Sequence, residues 1–293
     1  MICATGAALS KGSSANDLSL PATPTVAVIG GATLYLGNCL DFMRRLAAVD
    51  HIISDPPYEA SLHQAKAHTS KLRKDGGPEL QEIDFDCIDP IRDEYVELAS
   101  SLCSGWFVAF CTLEGVRPWA EAINASPLKY KRSCIWVKPD STPQLNGQGP
   151  AAGAEAFVVA WGGSGHARWN AGGKRGVYTH LVNNAERTGR HPTEKPRKLM
   201  AEIIADFTAP GQIILDPFMG SGTTGVAAVR MGRQFIGIER DPKYFELACE
   251  RIADAQRQAD LFGGAAHPAA SPSRQDQQGL PLSHLTPAEG EMK

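Results

Sequence analysis

The sequence predicts an α/β fold: a Rossmann-like, mostly parallel sheet of about seven strands with helices on both faces and an inserted segment. Three observations carry this expectation. Short apolar or β-branched runs alternate along the chain with helix-period segments. A glycine-rich turn joins one such run to a helix. The chain of 293 residues, 43% hydrophobic and 21% charged, has ordinary globular composition and suits one large α/β domain.

The candidate strands, in order, are residues 33–36, 51–54, 106–111, 134–137, 156–161, 213–215 and 235–238, each a short apolar or β-branched run. The candidate helices are 40–47, 91–101, 116–125, 196–207, 223–231 and 242–258. The last carries Tyr244, Leu247, Ala248 and Ile252 on one stripe, the spacing of an amphipathic helix. Residues 1–24 are rich in Ser, Ala and Thr, and 262–293 in Gly, Pro, Ser and Gln. Both are expected to be disordered tails, which leaves 25–261 as the folded domain. Two stretches break the alternation, 59–90 and 162–190. Loops of that length inside a domain are usually functional.

No apolar run approaches the roughly 20 residues of a membrane span, and no secretory signal opens the chain. Seven cysteines lie scattered without C-x-x-C spacing. Free thiols in a reducing cytoplasm and no metal site are expected. The net charge of −3 argues against non-specific coating of nucleic acid but allows a focused basic surface. Residues 163–198 hold eight Lys or Arg against two Glu. A smaller basic cluster is Lys66, Lys71, Arg73 and Lys74.

The strand at 213–215 runs into Asp216-Pro217-Phe218-Met219-Gly220-Ser221-Gly222-Thr223, followed by a helix. Such a turn brings backbone N–H groups close to a ligand. The next strand ends in Glu239, about twenty residues on, where an acid suits a pair of ribose hydroxyls. A carboxylate and a bulky Phe at the turn disfavour a pyrophosphate and suit a cationic or zwitterionic ligand. S-adenosylmethionine, with its sulfonium, amine and carboxylate, is such a ligand.

The strand at 51–54 ends in Asp55-Pro56-Pro57-Tyr58. Two prolines fix φ and remove two donors. What remains is acceptors, the Asp55 carboxylate and the Pro56 carbonyl, beside an aromatic face. This suits an exocyclic amino group on a flat ring: acceptors take its hydrogens, Tyr58 stacks on the ring, and the nitrogen lone pair is directed at a methyl donor.

These two blocks resemble the amino-methyltransferases of DNA. Their order, with Asp-Pro-Pro-Tyr first, resembles the permuted β-group. His191-Pro192-Thr193-Glu194-Lys195-Pro196 resembles a third block of that group. The resemblance covers roughly residues 33–257 and implies a methyltransferase domain that uses S-adenosylmethionine. It implies that Asp55, Pro56, Pro57 and Tyr58 are catalytic and hold a flipped base. It places Asp216, Pro217, Phe218, Gly220, Ser221, Gly222, Thr223, Glu239 and Arg240 at the cofactor, with Asn38, Cys39, Asp55, His191, Thr193 and Lys195. Asn38 departs from the family, which usually has Asp there.

The aromatic-studded basic segment suits DNA reading, since cations take phosphates and base edges while aromatics stack. Its candidates are Arg168, Trp169, Lys174, Arg175, Tyr178, Arg187 and Arg190, with Lys66, Lys71, Arg73 and Lys74 in the target-base loop at 59–90. The expected partner is double-stranded DNA, held by a homodimer; no nuclease signature is evident and no obligate nuclease partner is expected. The expected reaction is N6-adenine methylation by base flipping, with N4-cytosine methylation as the alternative, since the family uses Ser-Pro-Pro-Tyr more often for cytosine. No cysteine follows a proline, which argues against C5-cytosine chemistry. RNA or protein-amide methylation would more usually carry Asn at position 55. A DNA-binding regulator with a relic pocket would not need both blocks intact.

Overall fold

The structure, a computed structural model, describes residues 25–59, 87–143, 149–182 and 194–262. The expected tails at 1–24 and 262–293 lie outside the described residues, Phe262 excepted, as does most of 59–90.

Nine strands among the described residues form one sheet. They are β1 (Thr25–Ile29), β2 (Ala32–Leu36), β3 (His51–Ser54), β4 (Trp106–Cys111), β5 (Lys129–Val137), β6 (Ala154–Trp161), β7 (Val177–Thr179), β8 (Ile213–Asp216) and β9 (Gln234–Glu239). The helices are α1 (Cys39–Met43), α2 (Arg92–Leu102), α3 (Val116–Ala125), α4 (Arg197–Phe207), α5 (Thr223–Arg230) and α6 (Pro242–Phe262). Every strand and helix expected from the sequence is present. Two strands are additional. β1 is an edge strand whose side chains are largely accessible, so it lacks the weight of a buried run. β7 is three residues long and sits inside the glycine-rich segment. Helix α6 reaches Phe262, one residue into the expected tail.

The strand order is β1-β2-β9-β8-β3-β4-β6-β5-β7. Pairing is parallel from β2 through β9, β8 and β3 to β4, and again between β5 and β7. It is antiparallel for β1–β2, β4–β6 and β6–β5. β4 shows why the sheet is covered on both faces: all six of its residues are buried. Trp106, Val108 and Phe110 pack into one core, with Leu199, Ile203, Phe207, Val226, Ala248 and Ile252 of α4, α5 and α6. Phe107, Ala109 and Cys111 pack into the other, with Tyr95, Val96, Trp119 and Ile123 of α2 and α3. The period-2 alternation of a strand feeds both layers.

Connections step from β3 by α2 to β4 in one direction. They step from β8 by α5 to β9 in the other. The direction therefore reverses between β8 and β3, which pair side by side. Crevices outside the carboxyl ends of parallel strands, at such a reversal, are where α/β folds bind ligands.

Candidate active site

Both sequence blocks leave the sheet at this reversal. β3 ends at Ser54 and delivers Asp55; β8 ends at Asp216. With Ile52 opposite Leu215, the strands release Asp55 and the Asp216-Pro217-Phe218 turn next to one another.

The chain is pinned on both sides of the tetrapeptide. Ser54, fully buried, shares a 2.8 Å hydrogen bond with the Tyr95 hydroxyl of α2. Glu59, just past Tyr58, is also buried. Its carboxylate accepts from Trp119 Nε1 at 3.0 Å and from the Thr112 hydroxyl at 2.8 Å. Arg92 lies 3.9 Å away. A buried carboxylate so fully partnered is an anchor. It fixes where the stretch to position 90 begins.

Between these anchors sits a compact charge cluster. Lys195 Nζ lies 2.7 Å from each Asp55 oxygen and 2.9 Å from the Tyr58 hydroxyl. Tyr58 donates to Glu155 Oε2 at 2.6 Å. Glu155, on β6, lies 3.3 Å from Lys195 and 3.0 Å from Lys138. Burial pushes the Asp55 carboxyl up, and Lys195 opposes the rise. Burial also works against the Lys195 charge, but Asp55 and Glu155 outweigh it and hold the ammonium above its ordinary value. Burial acts against Glu155 too, yet the two lysines pull it down to about 2, so it stays ionised. Burial and the two carboxylates keep Tyr58 a phenol, well above the usual range.

Across the reversal the glycine turn is shaped by its backbone. Gly220 and Gly222 have φ of 51° and 80°, a region that disfavours side chains. A Cβ on Gly222 would also meet the Ala248 Cβ at 2.9 Å. Asp216 accepts from the Phe218 N–H at 3.1 Å. Glu239 accepts from the Gly220 N–H at 2.9 Å and the Asp241 N–H at 2.8 Å. Asn38 caps α1 through Leu40 N, beside the end of β9, where Gly37 N donates to the Glu239 carbonyl. Burial drives the Asp216 carboxyl up to about 7, and it raises Glu239 as well. Among the described residues neither acid forms an ion pair. A buried and a half-buried carboxylate, neither paired with a cation among the described residues, suit a ligand that brings positive charge and hydroxyl donors. The donor set thus fits a sulfonium-bearing nucleoside.

A match to the profile of the N6/N4 DNA methylase family spans residues 49–250, which include both blocks and the strands between them. The chain belongs to this family. Its relatives include the type II methyltransferase M2.MboI of Moraxella bovis, 28% identical over 235 residues, covering 74% of this chain and 86% of the relative. M2.DpnII of Streptococcus pneumoniae is 29% identical over 228 residues, covering 70% and 82%. Among solved structures, the M1.HpyAVI–SAM complex aligns with a TM-score of 0.58 at 26% identity, over 75% of this chain and 98% of that one. The cytosine-N4-specific PvuII DNA methyltransferase shares the fold, with a TM-score of 0.57 at 18% identity over 79% and 93%.

Several residues that shape the methylase site were not singled out from the sequence. Glu155, Lys138 and Glu59 reach it from separate elements. Arg251 of α6 bonds the Ser221 carbonyl at 2.7 Å and hydroxyl at 2.6 Å, reaches Thr223 at 3.3 Å and pairs with Glu194. It ties the glycine turn to the third block. Lys195, expected at the cofactor, is bonded to Asp55 and Tyr58 of the tetrapeptide. His191 and Thr193 lie outside the described residues, as do Lys66, Lys71, Arg73, Lys74, Arg187 and Arg190.

Part of the expected DNA-reading segment, described through Val182, is packed onto the body. Lys174 lies 2.6 Å from Glu202 and pairs with Asp206, both on α4. Tyr178 is 1% exposed and donates to Asp206 at 2.8 Å. Trp169 packs against Phe207 and donates to the Gly172 carbonyl. Lys174, Tyr178 and Trp169, expected at DNA, thus have partners within the fold. Two acids at i and i+4 on α4 draw the segment inward. Arg168 and Arg175 are exposed.

Proposed function

We propose that this DNA methylase transfers a methyl group from S-adenosylmethionine to N6 of adenine in double-stranded DNA. The observation that carries the reading is the meeting of Asp55-Pro56-Pro57-Tyr58 with the Asp216–Thr223 turn at the β3–β8 reversal. When bound, S-adenosylmethionine supplies an electrophilic methyl group on a sulfonium.

The chain's own groups do the positioning. Asp216, the Gly220–Thr223 backbone and Glu239 receive the cofactor, with Asn38, Cys39 and Arg240 at the neighbouring strand ends. Asp55 and the Pro56 carbonyl accept the two amino hydrogens, and Tyr58 lies against the base. The amino lone pair is thereby held for in-line attack, a gain of proximity and orientation. The base must leave the duplex to reach the crevice, at a cost of roughly a few kcal/mol.

Asp rather than Ser at position 55 favours adenine over N4 of cytosine. The exposed Arg168 and Arg175, with the basic residues beyond Val182 and those at 66–74, would hold phosphates, and a second copy of the chain would share the duplex. The reading fits a cytoplasmic protein of a bacterium or phage; no helix among the described residues is long and apolar enough to cross a membrane. The test is transfer of labelled methyl to duplex DNA, followed by digestion to nucleosides. The label is expected in N6-methyladenine; label in N4-methylcytosine would replace the adenine reading.

A further inference from the structure

The Lys195 ammonium is embedded in the base-binding tetrapeptide. It touches both Asp55 oxygens and the Tyr58 hydroxyl. It lies 5.1 Å from the centroid of the Tyr58 ring and 5.0 Å from that of Phe110. Its side chain is 9% exposed. At this place a strong donor stands 2.7 Å from a strong acceptor.

A flipped adenine presents the complementary pair on its Watson–Crick edge. Its amino group is a donor, and the adjacent ring nitrogen, N1, is an acceptor. Cytosine carries the same pair, with N3 in place of N1. Enzymes that flip bases read this edge by hydrogen bonds. In the free protein Asp55 and Lys195 satisfy one another. A bound base would exchange that single pairing for two: amino hydrogen to Asp55, and Lys195 to the ring nitrogen.

We propose that Lys195 is a base-reading residue that donates to the ring nitrogen beside the target amino group. The proposal rests on the assignment of Asp55 as the amino acceptor. Glu155 makes the exchange feasible. It lies 3.3 Å from Lys195 and is itself held by Lys138 and Tyr58. When Lys195 loosens from Asp55, its charge still faces a carboxylate, so no buried cation is left unpaired. The two acids and two lysines balance, and the donor is held in register with the acceptor. The pairing also gives selectivity. A flipped thymine offers an N–H beside a carbonyl and has no amino group to place at Asp55.

The test uses the full chain with S-adenosylmethionine and a duplex carrying its recognition site, identified by mapping modified bases. The target adenine is replaced by 1-deazaadenine, which keeps the amino group but lacks N1, or by 7-deazaadenine, which keeps N1. Wild-type kcat/KM is expected to fall about 10- to 100-fold on 1-deazaadenine, the usual value of a hydrogen bond to a charged group. It should change little on 7-deazaadenine. In Lys195→Met the penalty on 1-deazaadenine should shrink to whatever the base's own reactivity imposes, with affinity for S-adenosylmethionine unchanged by calorimetry. Because the intrinsic reactivity of 1-deazaadenine is common to both proteins, the cycle isolates the lysine contact. Wild-type indifference to loss of N1 overturns the proposal, and this arm needs no variant to fold. An equal deaza penalty in both proteins also overturns it. So does a collapse of cofactor affinity with the penalty intact, which would put Lys195 at the cofactor. If wild-type digests contain N4-methylcytosine, the adenine reading fails separately, and the same cycle on 3-deazacytosine decides the role of Lys195.

Discussion

Asp216, which we propose meets the cofactor, shows what burial alone does to a carboxyl. It is 1% exposed, accepts one backbone N–H, and burial lifts its carboxyl to about 7. A raised carboxyl favours the protonated form in the fold. The stabilising effect of that proton is complete below the unfolded value near 4 and is lost as pH rises through about 7. Asp216→Asn, which resembles the protonated acid, should therefore change the melting temperature of the free protein little at pH 5. At pH 8 it should raise it, by an amount worth a few kcal/mol at most. The same variant should weaken S-adenosylmethionine binding at pH 8. Equal melting shifts at both pH values would remove the titration from Asp216. The two blocks were legible in sequence because Asp55 to Tyr58 and Asp216 to Thr223 are contiguous, and the chemistry proposed for them follows from residue type and order. The partners were not legible. Glu155 faces Tyr58 across 97 positions, and Glu59 meets Trp119 across 60. Such pairs are set by strand register and helix docking, which no local pattern encodes.

At the scale of elements, the glycine turn and the α4 face make opposite demands. The turn must leave space. Gly222 opens α5 in the left-handed region, with Ala248 of α6 close behind. Gly222→Val is therefore expected to lower S-adenosylmethionine affinity at least about tenfold through strain and backbone displacement. Calorimetry showing wild-type affinity would contradict this. The α4 face must fill space. Glu202 and Asp206 hold Lys174, Tyr178 and His180. Lys174→Met should cost about 1–2 kcal/mol of stability by leaving Asp206 and Glu202 short of a donor. It should leave the salt dependence of DNA binding unchanged, because a lysine already paired within the fold releases no counterions from DNA. A flatter salt slope would return Lys174 to the DNA surface. The strands and helices read from apolar periodicity are all present, since burial on both sheet faces leaves a strong signal. The packing of part of 163–182 against α4 was not legible because its composition is that of an exposed basic loop. The decisive information lay in the acid spacing on α4, twenty and more residues further on.

For the whole molecule, the sheet assigns different tasks to the two walls of one crevice. β8 and β9 deliver the turn proposed to hold the cofactor, while β3, β4 and β6 deliver the proposed acceptor and the groups around it. The permuted chain order leaves this division intact, because strands of one sheet bring the two blocks together whichever comes first. The division is also the central claim: one wall can be disabled for transfer while the other still binds. The most direct measurement is a paired one on Asp55→Ala, with single-turnover methyl transfer to duplex DNA on one side and calorimetric S-adenosylmethionine affinity on the other. Transfer is predicted to be abolished, with cofactor affinity falling only a fewfold. Turnover above about a tenth of wild type, or loss of transfer explained wholly by lost cofactor binding, would contradict the account.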